Sequence, residues 1–178
     1  MIESLLLALL VAKLKGYKLK PLFKSWAFYP VLVYEVFYIF LAITIFMEDY
    51  RFVKYAKIFT TLHLLCFLIL IVKYQLYKSS VIGSISIFIG SVLNKIAIAA
   101  NGGKMPVFPT LSYYTGYSEK GAFPNVDNIH ILGSSSTQVK FLTDYIDLGY
   151  TILSIGDIFI HFFSFVIIFS AIRQLNMK

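Results

Sequence analysis

Four stretches of this chain, residues 26–47, 55–72, 81–100 and 150–172, run for about one bilayer thickness with almost no charge inside them. A hydrocarbon core of about 30 Å takes about 20 helical residues, so each run is of spanning length or close to it. A soluble domain of 178 residues would have nothing large enough to bury them all. With 58% of residues hydrophobic and only 14% charged, the chain is too apolar for a single soluble domain and reads as a polytopic membrane protein. Backbone groups in lipid must be satisfied internally, so the expected fold class is all-α: one integral membrane helix bundle over residues 1–178.

The first apolar stretch, residues 2–14, would reach roughly 20 Å as a helix, short of the hydrocarbon core. No basic residue precedes it and no small-residue cleavage site follows, so it does not read as a cleavable signal. It is expected to be a short membrane segment extended by snorkelling of Lys13 and Lys15, with an interfacial or re-entrant helix as the alternative. The connection at 48–54 is short, which makes its flanking spans antiparallel neighbours. In the third full span, Gly83, Ser86, Gly90, Asn94, Ala97 and Asn101 recur at helical spacing, the small-residue pattern that lets backbones approach in lipid. That span stops at Gly102 and Gly103, which tolerate a left-handed backbone, ahead of Pro106. Residues 101–149 then form a long polar loop, within which 138–148 reads as a short amphipathic helix after a Ser/Thr cap signal.

Charge sets the expected orientation. Placing Lys13 with the loop after residue 14, the loop around Lys73 and the C-terminal end in the cytoplasm collects nine Lys/Arg there and no acid. The opposite side holds six basic and seven acidic residues. By the positive-inside rule the C-terminus is cytoplasmic and loop 101–149 extracellular. The net charge of +7 therefore reads as topological, and no nucleic-acid partner is expected. The single cysteine, Cys66, leaves no intrachain disulfide and no paired-thiolate metal site.

Ionisable residues within spans cost roughly 3 kcal/mol each on insertion scales, so Glu35, His63, Lys95, Asp157 and His161 each need a partner, water or a function. Ser154, Asp157, His161 and Ser164 share one stripe of the last span, and Lys95 and Asp157 lie at matched depth, each about 9 Å from the outer end of its span. One reading makes Lys95, Asn101, His130, Asp157 and His161 an outward-facing polar binding cavity. The plain structural alternative is that Lys95 and Asp157 form an ion pair, with Glu35 as the rival partner for Lys95, and that the histidines are satisfied core residues. Asp127, His130, Asp144 and Asp147 match no defined cation motif, and neither metal nor cofactor is expected. Asn101-Gly102-Gly103-Lys104 follows a helix instead of opening one, so it is not a phosphate loop. No nucleophile elbow, zinc-protease pair or Cys-x-x-Cys names an enzyme class.

Gly16-x-x-Leu19, Asn101-Gly102-Gly103-x-Met105-Pro106-Val107, Phe141-Leu142-x-Asp144 and Ser154-Ile155-Gly156-Asp157, in this order, resemble a bacterial family of small multi-pass membrane proteins catalogued as a domain of unknown function. The resemblance covers most of the chain and implies a bacterial cytoplasmic membrane protein. It supplies no activity. Thr143 stands where that pattern has Gly, which implies a different local turn.

The expectation is thus four full transmembrane helices plus a short N-terminal membrane segment. The favoured function is non-enzymatic: a membrane-complex subunit or transport-related protein, in the lipid bilayer, assembling with itself or with other membrane subunits. The alternative is a membrane-embedded enzyme acting on a lipid-linked or extracellular substrate, with Asp157 and His161 as acid and base.

Overall fold

The computed structural model describes residues 2–47, 49, 51–52, 56–118 and 129–177. Much of the short connection at 48–54, and Asp127, lie outside them. The described chain is mostly helical: α1 (Ile2–Leu14), α2 (Lys20–Phe23), α3 (Tyr29–Phe46), α4 (Ala56–Tyr74), α5 (Tyr77–Ala100), α6 (Leu111–Thr115) and α7 (Ile155–Asn176). Short 3-10 turns occupy Trp26–Phe28 and Lys140–Leu142. Three helices, Trp26–Phe46, Tyr77–Ala100 and Ile155–Asn176, are long and apolar enough to cross a membrane, and a shorter apolar helix covers Thr61–Tyr74.

Two compact units can be distinguished: Met1–Ile39, Lys57–Ile87 and Ile160–Lys178 in the first, Phe40–Ala56 and Phe88–Phe159 in the second. In the first unit, α1 turns Leu5, Ala8 and Ala12 into the core, with both alanines fully buried. The spacing of three and four puts these residues on one helix face. Leu6, Leu7, Leu10 and Leu14 stay exposed on its other faces. Leu22, Phe28 and Val31 from the chain around α2 and α3, Phe67 and Leu70 from α4, and Ile167, Ile168 and Ala171 from α7 complete this core. The short first segment is therefore a packed member of the helical unit.

Helix α5 bears out the small-residue face. Gly83, Ser86, Gly90 and Ala97 are buried, whereas Val81, Ile85, Phe88 and Val92 are exposed. Small inside and bulky outside is the membrane-helix arrangement, since lipid accepts large apolar side chains and close backbone approach needs small ones. In the first unit a Cβ on Gly83 would lie 2.6 Å from Cδ2 of Phe163. In the second, a Cβ on Gly156 would lie 2.6 Å from the carbonyl oxygen of Gly90. At Gly83 the missing side chain makes room for the Phe163 ring, and at Gly156 it lets the backbones of α5 and α7 come close.

The chain is mostly helical, as expected, but in the second unit the described residues within 101–153 add four short strands to the helices. β1 (Met105–Val107) pairs in parallel with β2 (His130–Leu132), in register Met105 with His130. β3 (Ile146–Asp147) pairs antiparallel with β4 (Ile152–Leu153). The amphipathic helix expected at 138–148 is absent. Val139 takes a left-handed φ of 49°, Asp144 bridges to Val107, and β3 begins at Ile146, so backbone pairing outcompetes local propensity. The last helix likewise starts at Ile155 and not at 150, because β4 holds the preceding residues extended.

Candidate functional site

Both units carry ionisable side chains on their apolar helices. In the second unit, α7 opens with a reciprocal capping box: Asp157 N–H donates to Ser154 Oγ at 2.9 Å, and Ser154 N–H donates to Asp157 Oδ2 at 2.9 Å. Two donors left unpaired at a helix start are satisfied at once. Asn94 of α5 joins the box, its Nδ2 donating to Asp157 Oδ1 at 2.9 Å. Ser154 Oγ lies 2.8 Å from both Asn94 Oδ1 and Asp157 Oδ2 and gives its one proton to one of them. Three residues of Ser154-Ile155-Gly156-Asp157 thus have a local structural reason: the serine caps, the glycine permits close approach and the aspartate closes the box.

This corrects the expected pairing of Asp157 with Lys95. Lys95 is exposed, beside the exposed Ile96, and the inward position next to it belongs to Asn94. Consecutive helical residues point about 100° apart, so only one of the two can face α7. Asn101 also has a structural post. Its Nδ2 donates to the carbonyls of Ala97 at 2.8 Å and Gln138 at 3.0 Å, and its Oδ1 accepts from Gln138 N–H at 2.9 Å. It ends α5 and ties down the chain 37 residues later.

His130 stands on β2 with its Nε2 3.4 Å from Oδ2 of the buried Asp144. Nearby, Asp147 accepts backbone N–H bonds from Thr110 (2.6 Å), Ser112 (2.9 Å) and Gly149 (2.8 Å), and the Ser112 hydroxyl at 2.6 Å. Burial pushes the Asp147 carboxyl up, but the bonds from Ser112, Thr110 and Gly149 outweigh it and hold the group below the usual carboxylate range. Such a saturated carboxylate is a brace for the folded segment.

Another set lies in the first unit. Glu35 of α3 and His63 of α4 are both buried, with His63 Nε2 3.4 Å from Glu35 Oε1. Tyr34 stacks flat on the His63 ring, centroids 4.6 Å apart and planes 4° apart, and Phe67 closes another side at 5.2 Å. Both Glu35 oxygens, the Tyr34 hydroxyl and the fully buried Ser164 hydroxyl of α7 make no hydrogen bond among the described residues. His161 of α7 holds a second carboxylate, its Nδ1 3.9 Å from Glu3 Oε2 of α1. Both pairs lie in the first unit. Glu35 lies near the middle of the span Trp26–Phe46.

Of the five expected cavity residues, this cluster contains only His161. Lys95, Asn101, His130 and Asp157 stand elsewhere. Glu35 and His63 carried the signal of charge within an apolar run, but nothing local paired them. Glu3 gave no such signal, because its place depends on α1 packing against a helix some 158 residues away. Among the described residues no three His, Cys, Asp or Glu side chains converge to hold a metal ion. Two carboxylates and two imidazoles, one pair buried and the other partly exposed, can instead take up, share and release protons, or neutralise a small cation.

A family model described as Family of unknown function (DUF5317) matches residues 19–169. Glu35, His63 and His161 lie within the match and Glu3 precedes it. No curated protein and no solved structure matches the chain.

Proposed function

This chain belongs to the DUF5317 family, and we propose that it is a small transport-related integral membrane protein whose working site is the cluster of buried Glu35 and His63 with half-buried Glu3 and His161, loaded and unloaded with protons. The observation that carries this reading is Glu35: a carboxyl in the middle of an apolar span, 4% exposed, facing an imidazole with neither oxygen hydrogen-bonded. An acid kept there for structure alone would be expected to have its lone pairs filled, as Asp147 and Asp157 do. Four full spans, formed by α3, α4, α5 and α7, with α1 as a fifth membrane segment, complete the proposal. In it the C-terminus is cytoplasmic, the connection 101–149 is extracellular, and the protein sits in a bacterial cytoplasmic membrane. The exposed apolar residues of α5 (Val81, Ile85, Phe88 and Val92) suit lipid or a neighbouring membrane subunit. The enzymatic alternative loses support because Asp157 is taken up by the capping box.

The test is proton flux. Purified protein in liposomes enclosing a pH-sensitive dye is driven by a potassium diffusion potential, and the wild type is expected to acidify the lumen faster than protein-free vesicles. Glu35→Gln and His63→Gln are expected to bring flux down to the vesicle background while remaining folded by circular dichroism. Wild-type flux at background, or unchanged flux in Glu35→Gln, would overturn the reading.

A further inference from the structure

One end of the first unit is a basic platform held in a fixed shape. The amide of Asn176, at the end of α7, clamps the Lys18 backbone from both sides: Lys18 N–H donates to Asn176 Oδ1 at 2.8 Å, and Asn176 Nδ2 donates to Lys18 C=O at 3.0 Å. Tyr17 packs its ring 6.1 Å from Phe169 of α7. Ser25 and Tyr74 share a hydrogen bond of 2.5 Å that ties the start of α3 to the end of α4. The segment between these anchors carries Lys18, Lys20 and Lys24, all exposed, with Lys73, Lys78 and Arg173 exposed on the adjoining helix ends. No acid offsets them, since the acids of this unit are Glu3 and Glu35 alone, both in the cluster described above.

The platform also has an apolar rim. Phe23 is 43% and Trp26 60% exposed, and Lys73 Nζ sits 4.4 Å from the Trp26 ring centroid. That stacking fixes the ammonium over the indole while leaving its N–H groups free to point outward. An indole at the headgroup level, with several ammonium groups spread beside it, matches an anionic phospholipid: acyl chain against the ring, phosphate among the lysines. We propose that this end of the protein selectively binds the phosphate headgroup of anionic glycerophospholipids at a preformed site made by Lys18, Lys20, Lys24, Lys73 and Trp26. The proposal rests on the membrane reading but not on the proton cluster. The clamp matters because the site is ordered before lipid arrives, so binding need not order a flexible loop.

Trp26 is the only tryptophan of the chain, so its fluorescence reads the site directly. The protein is reconstituted in vesicles containing either dibrominated phosphatidylglycerol or dibrominated phosphatidylcholine at the same mole fraction, and quenching gives the ratio of binding constants. The wild type is expected to favour phosphatidylglycerol. The triple variant Lys18→Gln/Lys20→Gln/Lys24→Gln is expected to lower that ratio by about fivefold or more, the weight of at least one charge at a membrane surface. Molar salt is expected to collapse the wild-type ratio toward one, an arm that needs no variant to fold. A wild-type ratio of one, a ratio untouched by both the variant and salt, or relief of quenching by free glycerol phosphate would overturn the assignment, the last giving the site to a soluble anion.

Discussion

At the scale of single residues, the same chemical groups do opposite jobs according to what surrounds them. Asp147 and Asp157 are saturated with hydrogen bonds and brace the second unit, whereas Glu35 has an imidazole for company and no hydrogen bond among the described residues. Gly156 is as constrained as any of them. A methyl there would strike Asn94 and the Gly90 carbonyl, and Gly156→Ala is expected to destabilise the protein by about 1–3 kcal/mol through overpacking. A thermal melt in detergent checks this, and a transition within a degree of wild type would show that the helices part freely. Asp147 has a signed pH dependence. Its folded carboxyl is held below the usual range, so the unfolded chain binds the proton first and stability rises with pH in that window. The contribution is full above the unfolded value of about 4 and disappears as pH falls through the lower folded value. Asp147→Asn is therefore expected to lower the melting temperature at neutral pH and to flatten its decline as pH falls below about 4. Parallel curves for the two proteins would remove Asp147 as the cause.

Among the elements, helix ends were the best-determined features and helix partners the least. Gly102 has a φ of 66°, and Gly103 N–H returns to the Ile98 carbonyl at 2.9 Å, which closes α5 as its glycines predicted. Helix α4 ends the same way without a glycine. Leu76 N–H bonds the Ile71 carbonyl at 2.9 Å while exposed Gln75 sits at a φ of 53°. A side chain at that backbone position costs about 1 kcal/mol relative to glycine. Gln75→Gly is accordingly expected to raise the melting temperature by a few degrees, and a lowered value in the same melt would show that the glutamine itself contributes to the turn. The small-residue face of α5 was legible from spacing alone. That its neighbour would be α7, with Gly156 set against Gly90, was not.

For the whole molecule, the proposed orientation has a direct check. In a Cys66→Ala background, Tyr114→Cys places a thiol on a residue 90% exposed, and intact cells are expected to label it with an impermeant maleimide. Labelling only after permeabilisation would turn the protein over in the membrane. Composition and periodicity by themselves determined that the chain is helical and rich in span-length apolar runs, which face of α5 is buried, and where α5 stops. Those are local properties, set by side-chain size, hydrophobic spacing and backbone freedom within a few turns. The tertiary structure decided the rest: that Met105–Val107 pairs with His130–Leu132 and Ile146–Asp147 with Ile152–Leu153, that Asp157 answers to Asn94 and not Lys95, and that Glu35 meets His63 while His161 meets Glu3. Depth along a span can be counted from the sequence, but each span has a rotation about its axis and a choice of neighbours. A polar residue's partner is fixed only when packing sets both, because one residue of helix rotation, about 100°, is enough to exchange Lys95 for Asn94.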